Sequence, residues 1–286
     1  MPVPSWSPDP PRVFPPAVTL SVPGHGELFL RDSGGEGPVL MLLHGWIATA
    51  DLNWGFAYDD LIEAGYRVIA IDHRGHGRGV RPLVPFRLVD CAADAAAALR
   101  AFGVAPATVV GYSMGGAVAQ LMARDHRDVV QSLVLSGTAQ HWMEPQTRRY
   151  WRAMSALGLS LALAPRASVR GYLKRVGLRP SPLMAWVQSE VMRHSARDIA
   201  EAGRELGRFD SRPWLGSIKV PCAVVITTKD SAVPQQKQRE LAAAVRAQVF
   251  ETPIDHLDVT FRPKLYNPAL LEALATLTAH ETARAA

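Results

Sequence analysis

The sequence predicts an α/β fold with a mostly parallel sheet and a helical insertion. Three observations support this prediction. Short apolar runs alternate with helical stretches through most of the chain. Residues 139–212 break this alternation, because they contain no apolar β-run and read as four helical stretches. Several apolar runs end directly in His, Asp or Ser residues, so polar side chains are expected at the ends of the strands.

The chain opens with a proline-rich arm and a hairpin. Residues 1–16 contain seven prolines, which favours an extended or disordered segment. Two strands are predicted at 17–22 and 27–31, around a Pro-Gly-His-Gly turn. Residues 39–43 are apolar throughout, as in a strand buried on both faces, and residues 53–63 can form one helix.

Strands and helices then alternate up to the insertion and again after it. The alternation predicts parallel strands joined by right-handed crossovers. Before the insertion we expect strands at 66–71, 107–110 and 130–135, with helices at 87–102 and 117–123. After it we expect strands at 220–227 and 248–252, with helices at 234–246 and 268–280.

The insertion carries the net positive charge of the chain. Its predicted helices are 145–157, 166–176, 182–194 and 196–209. Residues 139–212 contain thirteen Lys and Arg against six Asp and Glu, whereas the whole chain has a formal charge of +5. We interpret the excess as a solvated helical surface; attraction to an anionic substrate group or a membrane surface is the alternative.

The composition excludes several classes of protein. Hydrophobic residues make up 48% and charged residues 20% of the 286 residues, which is ordinary for a globular enzyme. Two cysteines, Cys91 and Cys222, are too few for a disulfide framework, and no secretion signal is visible, so we expect a cytoplasmic protein. No apolar run approaches the ~20 residues of a membrane span, and the mild charge gives no reason to expect nucleic acid.

Residues 109–116 are the strongest functional signal. Gly111 and Gly115 flank Ser113 at the spacing Gly-x-Ser-x-Gly, between a β-branched run and a strong helix. A serine on such a tight strand-to-helix turn is exposed above the sheet, and the following helix directs its N-terminal N–H groups towards developing negative charge. We predict that Ser113 is a nucleophile.

A serine nucleophile needs a histidine base and a carboxylate that orients it. Among nine histidines, His256 is the natural base, because it follows the last predicted strand. Asp230 follows the preceding strand and is the predicted acid. Asp255 is less suited, since a residue adjacent to His256 is poorly placed to bond its ring. The order Ser113, Asp230, His256 is the order found in α/β-hydrolases.

Two backbone N–H groups are predicted to bind the oxyanion of the reaction. One belongs to Met114, directly after the nucleophile, and the other to Trp46, in the loop after residues 39–43. His44 and Gly45 are expected to shape that loop without taking part in the chemistry.

The chain resembles the α/β-hydrolase fold family over residues 17–280. The motifs that carry the resemblance are His44-Gly45-Trp46, Asp72-His-Arg-Gly-His-Gly77, Gly111-Tyr-Ser-Met-Gly115, Asp230 before Pro234, and His256. The resemblance implies an eight-stranded sheet in a core of residues 17–138 and 213–286, with residues 139–212 as a helical cap and residues 1–16 as an arm. Haloalkane dehalogenases and typical epoxide hydrolases of this family use an aspartate nucleophile, so Ser113 argues against both.

The resemblance leaves the substrate open. Trp142, Trp151 and Trp186 are predicted to line an apolar substrate pocket, which favours a hydrophobic acyl or aromatic ester. Acyl transfer, perhydrolysis and carbon–carbon bond hydrolysis are alternatives on the same triad, and a small-molecule receptor with a retained triad is a third class. We expect the cap to set selectivity and not chemistry, with no metal or cofactor, a small-molecule substrate and an oligomeric state that stays open.

Overall fold

A computed structural model describes residues 8–144, 153–164, 167–168, 171 and 181–285. Its eight strands form one sheet, which confirms the predicted fold class. The strands are β1 (Ala17–Val22), β2 (Gly26–Asp32), β3 (Val39–Leu43), β4 (Arg67–Ile71), β5 (Ala107–Tyr112), β6 (Val130–Ser136), β7 (Cys222–Thr227) and β8 (Gln248–Thr252).

The described helices flank this sheet or lie between β6 and β7. They are α1 (Ala50–Trp54), α2 (Tyr58–Glu63), α3 (Leu88–Phe102), α4 (Met114–Asp125), α5 (Met154–Leu163), α6 (Pro182–Val191), α7 (Ala196–Leu206), α8 (Arg212–Leu215), α9 (Gln235–Ala244), α10 (Asp258–Phe261) and α11 (Pro263–Ala285). None of the helices in the described part of the chain has the length and apolar character needed to cross a membrane.

The sheet places the polar loops at one edge. The strand order is β1-β2-β4-β3-β5-β6-β7-β8. β2 runs antiparallel to β1 and to β4, and the remaining neighbours are parallel. The carboxyl ends of β3, β5, β7 and β8 therefore lie along the same edge, where ligands bind in folds of this class.

Two apolar layers cover the sheet, one on each face. Successive residues of a strand point to opposite faces. In β3, Met41 and Leu43 pack into the layer formed by α3, α4 and α9, whereas Leu40 and Leu42 pack into the layer of α1, α2 and α11. All four side chains are fully buried, which explains why the strand sequence is continuously apolar.

The predicted helix at 53–63 is wrong in its bounds, because the chain forms two short helices there. Thr49 caps α1 by accepting a hydrogen bond from the Leu52 N–H at 3.0 Å. The helix stops at Gly55, where an added Cβ would lie 2.8 Å from the ring of Phe14. Phe14 of the N-terminal arm, 41 residues earlier in the chain, therefore packs against the point where α1 ends.

Other predicted helix bounds also change. The terminal helix begins at Pro263 instead of residue 268, since proline is well suited to the first turn of a helix. In the insertion, α5 extends to Leu163, beyond the predicted end at 157. Residues 145–152 and most of the predicted helix 166–176 lie outside the described residues.

The described part of the arm, from residue 8, packs against the body of the protein. The Phe14 ring lies 5.9 Å from Tyr58 of α2 and 5.9 Å from Trp186 of α6. Arg12 pairs with Asp59 at 2.9 Å, and the Arg31 guanidinium donates to the Pro15 carbonyl at 3.1 Å. Phe14 thus bridges a core helix and an insertion helix.

Candidate active site

Ser113 occupies a sharp turn between β5 and α4. Its backbone φ of +54° lies in a region that non-glycine residues rarely adopt. A Cβ on Gly115 would overlap the Leu43 carbonyl, and one on Gly116 would overlap the Thr138 side chain. The glycines around Ser113 are therefore required because the elbow packs directly against neighbouring backbone.

Ser113, His256 and Asp230 form a continuous line of hydrogen bonds. The Ser113 Oγ lies 3.0 Å from His256 Nε2, and His256 Nδ1 lies 2.8 Å from Asp230 Oδ2. If Asp230 is ionised, Nδ1 carries the proton and donates to it, so that Nε2 is free to accept the proton of the serine hydroxyl. The structure thus brings together the three residues predicted from the strand ends.

Asp230 is buried and well provided with donors. Its Oδ1 accepts the N–H groups of Ala232 at 2.9 Å and Val233 at 2.7 Å. Its Oδ2 accepts the Thr227 hydroxyl at 2.7 Å in addition to the His256 ring. These donors offset the cost of burying a carboxylate and fix the oxygen that faces the histidine.

Asp255 supports the loop that carries His256 but does not reach the imidazole ring. Its Oδ1 accepts the Ser231 N–H at 2.8 Å and the His256 N–H at 2.6 Å. Burial acts to raise the pKa of Asp255, but these hydrogen bonds outweigh burial and lower the pKa below its usual value. The carboxylate is thus used to hold backbone in place.

Tyr112 makes a contact to the same loop that the sequence did not indicate. Its hydroxyl donates to the His256 carbonyl at 2.6 Å, and the two rings lie 5.3 Å apart. Gly137, with φ of +53°, leaves space for the tyrosine ring, since an added Cβ would lie 2.9 Å from it. The residue before Ser113 therefore tethers the loop of His256.

The loop between β3 and α1, residues 44–49, lies beside Ser113. A Cβ on Gly45 would be 3.3 Å from the Ser113 Cβ, and the Gly45 N–H donates to Asn53 Oδ1 at 2.9 Å. Trp46, the next residue, has its indole N–H bonded to the Ile199 carbonyl at 2.9 Å. Met114 is the first residue of α4 and is buried.

His44 has a structural place in this loop. Its Nδ1 lies 2.8 Å from the Gly45 carbonyl, and its Nε2 accepts the His73 N–H at 2.9 Å. Burial, reinforced by the neighbouring His73, lowers the pKa of His44 well below its usual value. The neutral imidazole thus links the ends of β3 and β4.

Of the predicted pocket tryptophans, Trp142 and Trp186 are buried and are not among the residues that line the cavity described below. Trp142 is 6% exposed and lies 5.8 Å from the Phe209 ring, whereas Trp186 is 3% exposed beside Phe14. Trp151 lies outside the described residues. Their role in a substrate pocket stays a prediction.

A small apolar cavity lies next to the β3–α1 loop. Its volume of about 30 Å³ has room for one or two water molecules. Six of its lining residues come from the insertion and one from the loop: Leu161, Val191, Met192, His194, Ala196, Ile199 and Ile47. Within the described ranges, no three His, Cys, Asp or Glu side chains are arranged to hold a metal ion.

Comparison with known proteins agrees with the fold. The family model of the alpha/beta hydrolase fold matches residues 38–158. A hydrolase from Pseudomonas aeruginosa superposes with a TM-score of 0.79 over 90% of this chain and 98% of its own, at 24% identity. The chain has the α/β-hydrolase fold, and the family model together with relatives named as hydrolases and esterases supports a place in this family of enzymes.

Two curated relatives are named for their activities. A pimeloyl-acyl-carrier-protein methyl ester esterase from Chromobacterium violaceum is 29% identical over 85% of this chain and 96% of its own length. A bifunctional esterase/perhydrolase from Acinetobacter calcoaceticus is 36% identical over 38% of this chain and 40% of its own length.

Proposed function

We propose that this chain is a serine hydrolase that cleaves carboxylic esters with an apolar acyl or aromatic group. The observation that carries the proposal is the hydrogen-bonded line from Ser113 through His256 to the buried Asp230. The esterase activity named for the Chromobacterium relative supports the choice of an ester. We further propose that residues 17–138 and 213–286 form the catalytic core, with residues 139–212 as its cap.

In the first half-reaction, Ser113 Oγ attacks the ester carbonyl carbon and transfers its proton to His256 Nε2. Asp230 stabilises the imidazolium that forms. The negative charge on the former carbonyl oxygen is held by the backbone N–H groups of Trp46 and Met114. When the tetrahedral intermediate collapses, the bond to the leaving oxygen breaks, and that oxygen takes the proton from His256, which leaves an acyl-Ser113 ester and a free alcohol.

The second half-reaction repeats these roles with water as the nucleophile. His256 Nε2 removes a proton from the water while its oxygen attacks the acyl carbon. The Ser113 Oγ is then the leaving group and takes the proton back from His256. The products are the carboxylic acid and the original enzyme.

The apolar lining of the cavity beside Ile47 supports an apolar substrate group. The lining side chains Leu161, Val191 and Met192 have no charge to offer a ligand. Because the cavity has room for one or two water molecules, an acyl group enters only if flexible side chains such as Met192 move. We propose that selectivity is set here, at the contact between insertion and core.

Perhydrolysis is the second candidate, and the esterase/perhydrolase from Acinetobacter favours it. Hydrogen peroxide would replace water in the second half-reaction, so that acyl-Ser113 yields a peracid and the free serine. Peracid formation from acetate and peroxide, measured against ester hydrolysis by the same preparation, separates the two candidates.

The central test compares wild type with Ser113→Ala on a series of p-nitrophenyl esters from acetate to palmitate. We expect the substitution to leave the fold intact and to reduce kcat by on the order of 10⁶. Ser217→Ala, at an exposed serine whose hydroxyl donates to the Trp214 carbonyl, is the control and should match wild type. A kcat of Ser113→Ala within tenfold of the wild-type value would refute the proposed mechanism.

A further inference from the structure

The β3–α1 loop contains a strained residue. Ile47 has a φ of +57°. A β-branched side chain is strongly disfavoured in this left-handed region, and such residues persist only where the surroundings impose the conformation. Ile47 directly follows Trp46, whose backbone N–H is the proposed oxyanion donor. Contacts that fix the backbone at Ile47 are therefore expected to fix the direction of that N–H as well.

Contacts from the insertion hold this loop on both sides of Ile47. On one side, the Trp46 indole N–H donates to the Ile199 carbonyl of α7 at 2.9 Å. On the other side, the Thr49 hydroxyl donates to Glu190 Oε2 of α6 at 2.9 Å. The Trp46 ring also packs tightly on α7, since a Cβ on Gly203 would lie 3.1 Å from it.

Glu190 is a fixed anchor for the second contact. The residue is 1% exposed, and its carboxylate accepts Arg78 at 2.9 and 3.1 Å and Arg193 at 2.8 Å. Arg78 belongs to the loop after β4, so the buried carboxylate joins insertion and core through an ion pair with a partly exposed arginine. A side chain held by three donors has little freedom to follow Thr49 if the loop moves.

We propose that the insertion maintains the strained conformation in which the Trp46 N–H faces the oxyanion, with Thr49 and Glu190 as positioning residues. The inference rests on the proposed esterase function and deepens it. It departs from the expectation that the insertion sets only selectivity, because α6 and α7 also help to build the oxyanion site. A donor held in place before the reaction costs no reorganisation when the charge develops.

The first experiment removes each contact separately. Thr49→Val deletes the hydroxyl at nearly constant volume, and with it both the bond to Glu190 and the cap of α1. Trp46→Phe deletes the indole N–H while keeping the backbone N–H. We expect each to lower kcat about tenfold with KM within twofold of wild type, since removing an oxyanion donor outright costs about 10²–10³. Thr49→Ser keeps the hydroxyl and should stay within twofold of wild type.

Affinity for phenylboronic acid, which forms a reversible tetrahedral adduct with an active serine, is the second readout. We expect its Kd to rise by the same factor as kcat falls in Thr49→Val and Trp46→Phe. If a contact were purely structural, its loss would lower the melting temperature, but the Kd for the boronate would not rise by the factor by which kcat falls. Wild-type kcat and boronate affinity in both variants would overturn the inference.

The role of strain is tested in a second background. Glycine adopts the Ile47 conformation without strain. In an Ile47→Gly background, Thr49→Val should therefore lower kcat by less than about threefold, instead of about tenfold. Arg246→Gly is the matched control, because Arg246 has a φ of +54° in the turn before β8. If Thr49→Val lowered kcat by the same factor in the Ile47→Gly and Arg246→Gly backgrounds, the proposed role of strain would be refuted.

Labelling of wild type by a fluorophosphonate separates the two levels of the proposal. If Ser113 is not labelled, the proposed function fails and the inference fails with it. If Ser113 is labelled and the loop variants behave as wild type, only the role of the insertion is refuted.

Discussion

A cluster of buried histidines predicts that acid destabilises this protein. His73 lies 4.4 Å from the His44 ring, and His76 lies 5.4 Å from His44 and 5.3 Å from His194. Burial lowers the pKa of His73 to about 3, with His76 and Arg74 adding to the effect and the His44 backbone opposing it. The pKa values of His44 and His76 are also well below normal.

The direction of the pH effect on stability follows from the number of protons that the folded and unfolded states bind. Below pH 6.5 the unfolded chain protonates His73 and the folded protein does not, so the unfolding free energy falls as pH drops towards 3. Between pH 7 and pH 5, His73 alone lowers the unfolding free energy by about 2 kcal/mol. Asp72 has the opposite effect, because burial raises its pKa to about 6. The folded protein therefore binds a proton at Asp72 more readily than the unfolded chain does, which adds about 1 kcal/mol to the unfolding free energy between pH 7 and pH 5.

The substitution His73→Phe isolates the contribution of one histidine. His73 is 1% exposed, and neither ring nitrogen has a hydrogen-bond partner among the residues that the structure describes, so an apolar ring of similar shape is a suitable replacement. Urea unfolding of wild type and variant at pH 7 and pH 5 gives four free energies. Packing changes affect both pH values equally and therefore cancel in the double difference.

We expect the loss of stability from pH 7 to pH 5 to be about 2 kcal/mol smaller in the variant than in wild type. The m-value should stay constant, because the surface exposed on unfolding is unchanged. Equal pH dependence in the two proteins would show that His73 titrates normally in the folded state, and the reasoning from burial would then be refuted.

Three further predictions concern named side chains. Asp230→Asn should reduce kcat by roughly 10⁴ through the wrong histidine tautomer, and Asp255→Asn by less than about tenfold; the reverse ranking in steady-state assays would assign the acid to Asp255. Tyr112→Phe should lower kcat about tenfold at constant KM by freeing the loop of the catalytic histidine, while Tyr266→Phe, in the same buried cluster, should not; equal effects would contradict the tether. Phe14→Ala should lower the unfolding free energy in urea by about 2 kcal/mol, and an unchanged midpoint would show that the arm adds nothing to stability.

The sequence was sufficient to predict the sheet and to select Ser113, Asp230 and His256. Each follows an apolar run long enough to identify as a buried strand, and parallel strands bring such positions to one edge whatever lies between them. The glycines around Ser113 added a local signal, since they meet a steric requirement within a few residues of the serine.

Features that depend on contacts between distant segments were not predictable in this way. Phe14 packs against Gly55 at the end of α1, and no local pattern near residue 55 shows that contact. The tyrosine before the nucleophile reads as an ordinary strand residue until its hydroxyl is seen 2.6 Å from the His256 carbonyl. Glu190 likewise reads as a surface acid of a helix, although Arg78, 112 residues away, keeps it buried.

The close packing of the nucleophile turn has a consequence for how such a chain can diverge. Substitution of Gly115 or Gly116 pushes a side chain into β3 or into Thr138, so drift at these positions is eliminated regardless of the substrate in use. The wall of the cavity comes instead from side chains of helices between β6 and β7, such as Leu161 and Ile199. The proposed selectivity site therefore lies outside the turn of Ser113, and we expect related chains to differ more at the residues that line the cavity than at Gly115 and Gly116.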